Sequence, residues 1–182
     1  MAAMTTVETA GRFTRADLDA MPDDGRRYEL LDGSIIVTPA PGKRHQRVER
    51  RLVRLLEDHA PPHLEVFAAP LDVELPSGDV VEPDVLVITR NDPDARTVTE
   101  VPQLIVETLS PSTRRRDVGD KLTAYRDAGV PSYWVVDPIS PRLRVWRLED
   151  GDYVETADVS GDEEWTASEP FEVTIRPIDL TR

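Results

Sequence analysis

Two acids stand where an apolar strand should carry none. Residues 80–89 (VVEPDVLVIT) and 103–109 (QLIVETL) are nearly continuous apolar runs, the pattern of strands covered on both faces, yet Asp84 and Glu107 interrupt them. An ionised carboxylate is expensive to bury unless it meets a cation or several hydrogen-bond donors. Downstream, residues 114–128 predict a helix capped by Ser112 or Thr113 and stopped by Gly129, and Lys121 rides on it. Residues 132–136 predict a strand closed by Asp137-Pro138. The order is therefore strand, strand, helix, strand, with two acids and one lysine placed to meet.

The rest of the chain supplies the frame. Thr14 with Asp17 three residues on predicts a short helix ended by Pro22. Residues 27–31 and 34–38 flank Asp32-Gly33, a hairpin signature. Residues 44–59 predict the clearest helix: Val48, Leu52, Leu55, Leu56 and His59 form one apolar stripe, while Lys43, Arg47, Arg50, Arg51 and Arg54 lie opposite. His45 stands at the start of the apolar side. Residues 64–75 predict one strand interrupted at Pro70. Residues 143–148 and 153–156 predict a hairpin about Asp150-Gly151, with a last strand near 171–175. The pattern has no internal repeat and predicts a single α/β (α+β) domain over 1–182.

Composition narrows the chemistry. A chain of 182 residues without cysteine has neither a disulfide nor a thiolate metal site, and three histidines leave little for a histidine-rich one. A metal here is expected to be hard and oxygen-bound, Mg²⁺ or Mn²⁺. The formal net charge of −13 argues at first against nucleic acid, but ten of the 35 acids fall between Leu148 and Ile175, where there is no Lys or Arg. Outside that tract the charges nearly balance, and residues 43–54 hold six bases and one acid. Net charge thus says little about the local field. No apolar run nears the roughly 20 residues that span a bilayer, and no signal peptide is visible, so a cytoplasmic protein without a membrane partner is expected. The chain has 20 arginines and only two lysines, which hints that an ammonium is specifically wanted at 121.

Phosphodiester hydrolysis needs an activated water and neutralised phosphate charge, which carboxylates holding one or two Mg²⁺ supply. A nearby lysine can orient the water or offset charge building on phosphorus. If the two apolar strands pair, Asp84 and Glu107 come within metal-sharing distance, since paired strands lie about 4.8 Å apart. On the helix Lys121 lies about 60° from the centre of the sheet-facing stripe of Val118, Leu122 and Tyr125, close enough for its long stem to reach the sheet edge.

Pro83-Asp84, Glu107-Thr-Leu-Ser-Pro-Ser-Thr, Asp117, Lys121, Tyr125 and Gly129-Val-Pro-Ser-Tyr-Trp-Val-Val-Asp-Pro resemble the Uma-type family of restriction-endonuclease-like proteins, within the PD-(D/E)xK nuclease superfamily. Tyr28-Glu-Leu-Leu-Asp-Gly and His45 extend the resemblance to roughly residues 13–155. It implies a restriction-endonuclease-like mixed sheet flanked by helices, here with extra N- and C-terminal hairpins. It also implies Asp84 and Glu107 as metal ligands and Lys121 as the catalytic lysine of a DNA endonuclease. The superfamily usually places its lysine two residues after the glutamate, where this chain has Leu109; the resemblance moves that role to Lys121.

Each residue also has a plainer reading. Asp84 fits a sheet-end acid, Glu107 a buried ion pair, and Lys121 a helix salt bridge to Asp117. Glu29 is a structural acid or a third site carboxylate, and His45 a packed or capping histidine or an accessory group. Tyr125 reads as core and Asp137 as a turn acid. Arg47 and Arg51 on the first helix, with Arg114 and Arg115 beside the second helix N-terminus, are candidates for gripping phosphates. Their alternative is a solvated charged face. Cutting two strands suits a homodimer, for which Leu143, Val145, Trp146 and Tyr153 offer an apolar interface. The competing reading is a non-catalytic module that binds nucleic acid or protein. No Gly-rich phosphate loop is present to support a nucleotide-binding enzyme.

Overall fold

The computed structural model describes residues 5–7, 11–110 and 114–182. From the N-terminus the elements are β1 (Thr5–Val7), α1 (Arg15–Asp19), β2 (Arg27–Leu31), β3 (Ser34–Thr38), α2 (Lys43–Glu57) and β4 (Leu64–Ala68). The middle of the chain forms β5 (Asp72–Glu74), β6 (Val80–Val81), β7 (Val85–Thr89), β8 (Thr97–Val98), β9 (Leu104–Thr108), α3 (Arg114–Asp117) and α4 (Asp120–Asp127). It closes with β10 (Ser132–Asp137), β11 (Arg142–Glu149), β12 (Asp152–Ser160), β13 (Trp165–Ala167), β14 (Val173–Ile175) and α5 (Pro177–Thr181).

Two six-stranded sheets carry the fold, in the orders β1-β3-β2-β6-β5-β8 and β12-β11-β10-β9-β7-β4. The second is the mixed central sheet: β9 and β10 are parallel and joined through α3 and α4, whereas β7 and β9 are antiparallel. One of its faces packs Val85, Val87, Leu104, Val106, Trp134 and Val136 against Val48, Leu52 and Leu56 of α2 and against the β13–β14 hairpin and α5. The other face, with Leu86, Ile88, Ile105, Tyr133 and Val135, meets Tyr125 of α4 and the first sheet through Ile36, Val73 and Val81. Burial on both faces is why β7, β9 and β10 read as nearly continuous apolar runs. The far face of the first sheet is closed by α1 through Leu18. Both Asp-Gly pairs form hairpin turns as expected, with positive φ at Asp32, Gly33, Asp150 and Gly151. Among the described residues no helix is long and apolar enough to cross a membrane.

Four expected elements differ. The strand expected over 64–75 is β4 in one sheet and β5 in the other, broken at Pro70, which has no N–H to give a ladder. The run 80–89 likewise divides at Glu82-Pro83-Asp84 into β6 and β7, which belong to different sheets. The hairpin at 27–38 is no appendage, because β6 pairs with β2 and builds it into the first sheet. The helix expected over 114–128 breaks at Val118-Gly119, and α4 starts anew one residue before Lys121. Capping by Ser112 or Thr113 lies outside the described residues.

The α3–α4 break is closely packed at its glycine: a Cβ on Gly119 would lie 2.8 Å from the Arg115 carbonyl oxygen. Gly119→Ala is therefore expected to cost about 1–3 kcal/mol and to displace Lys121; urea denaturation measures the first, and an unchanged midpoint would refute it. The dimer interface expected from the terminal hairpin is also corrected. Leu143, Val145 and Trp146 are buried in the chain's own core, and the Tyr153 hydroxyl donates to the Val130 carbonyl at 2.9 Å.

Candidate active site

The crossing from β6 to β7 sets Asp84 in the wall of a cleft, where it is buried. Val85 faces Val106 across the β7–β9 ladder, so one step further Asp84 comes opposite Glu107. Glu107 shares the alternation of Ile105, the face turned to α4. Arg27, Glu29, His45, Asp84, Glu107 and Lys121 all line the cleft, whose volume is about 170 Å³.

Asp84 is held from three sides. Its Oδ1 accepts from Arg27 Nη1 at 2.9 Å, its Oδ2 accepts from the Thr108 backbone N–H at 2.7 Å, and His45 Nε2 lies 3.0 Å from Oδ2. Burial alone would raise its pKa, but His45, Arg27 and the Thr108 N–H outweigh that and keep the carboxyl well below the usual range. Glu107 is held differently. Its Oε1 accepts from Lys121 Nζ at 2.9 Å and from the Tyr125 hydroxyl at 2.7 Å. Lys121 also reaches Glu29 Oε1 at 2.8 Å, and that oxygen accepts the Glu82 N–H at 3.0 Å. One ammonium thus serves two buried carboxylates. Burial, with the charges of Asp84, Asp117 and Glu29, pushes Glu107 up to about 8 despite Lys121. Burial would lower Lys121, but Glu107, Glu29 and Asp117 outweigh it and keep the amine protonated well above its ordinary value.

All five residues expected at the site, Asp84, Glu107, Lys121, Glu29 and His45, therefore converge. The arginines expected to grip phosphates do not line the cleft. Arg51 donates to the Asp179 carbonyl and Arg47 Nη1 to the Thr181 carbonyl at 3.3 Å, tying α2 to α5. Arg114 pairs with Asp137 and Arg115 is exposed, whereas Arg116 from the same run lines the cleft. Sequence reasoning missed Arg27 and Glu49 and assigned Tyr125 to the core alone. Tyr125 is fully buried, yet its hydroxyl bonds Glu107.

The donor chemistry fits a divalent cation. Asp84 and Glu107 offer hard oxygens on neighbouring strands, and burial with neighbouring acids makes Glu107 hard to ionise without added positive charge. Among the described residues His45, Glu49 and Asp84 also group their ligand atoms within 4.8 Å of one another.

A family model described as "Uma2: Putative restriction endonuclease" matches residues 15–181. The chain belongs to the Uma2 family. A crystal structure from Anabaena variabilis ATCC 29413, described as "a putative nuclease belonging to DUF820", matches with a TM-score of 0.76 at 19% identity. The alignment covers 93% of this chain and 97% of that one, and at this identity it speaks for the fold. A search of curated proteins found no match.

The shifted groups of this Uma2-family chain give it a defined pH response. Glu107, raised from 4.5 to about 8, contributes stability that is fully present below about pH 4.5 and lost as pH rises through 8. Burial would lower His45, but Asp84 and Glu49 outweigh it and raise it from 6.5 to about 10. Its contribution is full below pH 6.5 and lost as pH rises through 10. Thermal stability in EDTA is therefore expected to fall from pH 5 to pH 10, with the upper part of the fall flattened in His45→Gln. Melting temperatures across that range check this, and a flat profile would contradict it.

Proposed function

We propose that this chain is a metal-dependent endonuclease that hydrolyses phosphodiester bonds in DNA. The observation that carries the reading is the convergence of Asp84, Glu107 and Lys121 on one cleft, with Glu29 and His45 completing their contacts. Asp84 and Glu107 would hold Mg²⁺ or Mn²⁺. The bound cation supplies a water nucleophile of lowered pKa and neutralises phosphate charge.

The protein's own groups do the rest. Arg27 and the Thr108 N–H fix the Asp84 carboxylate in its ionised form. Lys121, held protonated, is unsuited to take a proton from water; it donates hydrogen bonds that orient the water and offset negative charge on the phosphoryl oxygens. Glu29 and Tyr125 fix the positions of Lys121 and Glu107. At about 170 Å³ the cleft has room for a phosphate group and a few waters, since a water occupies about 30 Å³ in the liquid. The family's description supports the nuclease class. A non-catalytic binding module has no need of two buried acids held on one ammonium beside a third.

Purified protein is expected to cut single- or double-stranded DNA with Mg²⁺ or Mn²⁺ and not in EDTA, and Glu107→Ala to abolish the cutting. Inertness of the wild type on every substrate, or cutting that survives Glu107→Ala, would overturn this reading.

A further inference from the structure

We propose that Ile139, at the tip of the turn from β10 to β11, is a wedge that enters duplex DNA at a base step beside the cleft and kinks it. This role rests on the nuclease reading for its substrate and adds how a duplex reaches the site. Asp84 and Glu107 are each only 2% exposed, in the wall of a cleft of about 170 Å³. Duplex DNA is stiff, with a persistence length of about 150 base pairs, so a regular backbone lying across the opening keeps its phosphates outside. A local kink brings one inward, and apolar side chains pushed between base steps make such kinks.

Ile139 is the most exposed large apolar side chain among the described residues, at 56%. Strand register sets its position. β9 and β10 run parallel with Val136 beside Thr108, so residues 138–140 leave the sheet at the end where the Thr108 N–H meets Asp84. α3 joins the turn to the cleft: Arg114 pairs with Asp137, and Arg116, two residues on, lines the cleft. The tip is stiff, since Asp137 Oδ1 accepts the Ile139 N–H at 2.9 Å and the Ser140 N–H at 3.1 Å. A side chain presented on a preorganised turn loses little freedom on binding. Cations stand around it. Lys43 and Arg44 are exposed in the first turn of α2, next to the cleft-lining Gly42, and Arg115 is exposed on α3. None of the three is in an ion pair among the described residues, so their charge is left for phosphates flanking the kink. An apolar tip among such cations matches the apolar stack and charged backbone of DNA.

The test is binding of the full chain, in Ca²⁺, to DNA duplexes that carry 2-aminopurine at successive steps. Wild type is expected to raise 2-aminopurine fluorescence at one step, the mark of an unstacked base. Ile139→Ser should lose that rise and bind at least about tenfold more weakly, whereas Ile139→Leu keeps both. Val154→Ser, at a position 44% exposed on β12, should change neither. Replacing Lys43 and Arg44 with alanine should lower the salt dependence of binding by about two released counterions, and an unchanged slope overturns their part. A wild type with no rise at any step, a rise unchanged in Ile139→Ser, or no duplex binding at all overturns the wedge. Cleavage in Mn²⁺ separates this role from the nuclease reading. Glu107-dependent cutting that is equal in wild type and Ile139→Ser keeps the nuclease and sinks the wedge. An Ile139-dependent rise in a protein that cuts no DNA does the reverse.

Discussion

Replacing Lys121 with methionine is expected to lower metal-dependent DNA cleavage by about 10²–10³-fold, the usual consequence of removing one donor aimed at developing charge. Methionine keeps most of the apolar stem and removes the ammonium, so the loss reports charge rather than packing. The same change strands Glu29 and Glu107, which lie 2.8 and 2.9 Å from the ammonium at full burial. Breaking a buried ion pair from one side costs about 3–5 kcal/mol, and stability should fall by that order. Adding Glu29→Gln removes one stranded carboxylate. The double variant should thus recover part of the stability and none of the cleavage. Initial cleavage rates at saturating Mn²⁺, alongside urea denaturation, separate the two effects. A folded Lys121→Met protein that cuts at the wild-type rate would end the role assigned to this lysine.

Trp134→Ala is expected to destabilise the protein by about 3–5 kcal/mol, a large share of the total stability of a domain. Trp134 is fully buried, its Nε1–H donates to Ser132 Oγ at 2.9 Å, and its ring meets Trp165 edge-on with centroids 5.4 Å apart. Through that contact the central sheet holds the C-terminal β13–β14 hairpin, whose Ala167, Val173 and Ile175 are buried in the same core as α2. Val154, 44% exposed on β12, is the control: its alanine variant should stay within about 0.5 kcal/mol of wild type. Equal urea midpoints for the two variants would mean that the C-terminal layer is not part of the cooperative core.

The acidic tract illustrates why net charge misled less than it threatened to. Asp158 pairs with Arg142 and Glu155 with Arg144 between β12 and β11, and Glu169 from the β13–β14 link pairs with Arg147 of β11. The balance is made across the β11–β12 ladder and by a loop folded back on β11, which no count along the chain displays. Arg47 and Arg51 teach the converse. Their helical face was legible as cationic, but the partner that claims them, α5, was not foreseen.

The sequence by itself determined the strands and helices of the core and the five residues that meet at the cleft. Apolar periodicity and Asp-Gly turns are local signals, and an acid inside an apolar run marks an unusual energetic cost wherever the chain folds. Only the tertiary structure decided what surrounds those acids. The strand runs at 64–75 and 80–89 each divide between two sheets, because a short Pro-containing link can redirect a chain without altering its hydrophobic pattern. That division brings Arg27 from one sheet to Asp84 of the other, and the restart of the helix at Gly119 brings Lys121 between Glu29 and Glu107. Glu49, one acid in a basic helix, becomes a neighbour of Asp84 only when α2 packs on the central sheet. Contacts between residues far apart in the chain depend on which faces are buried together, and that is fixed by packing rather than by the order of residues.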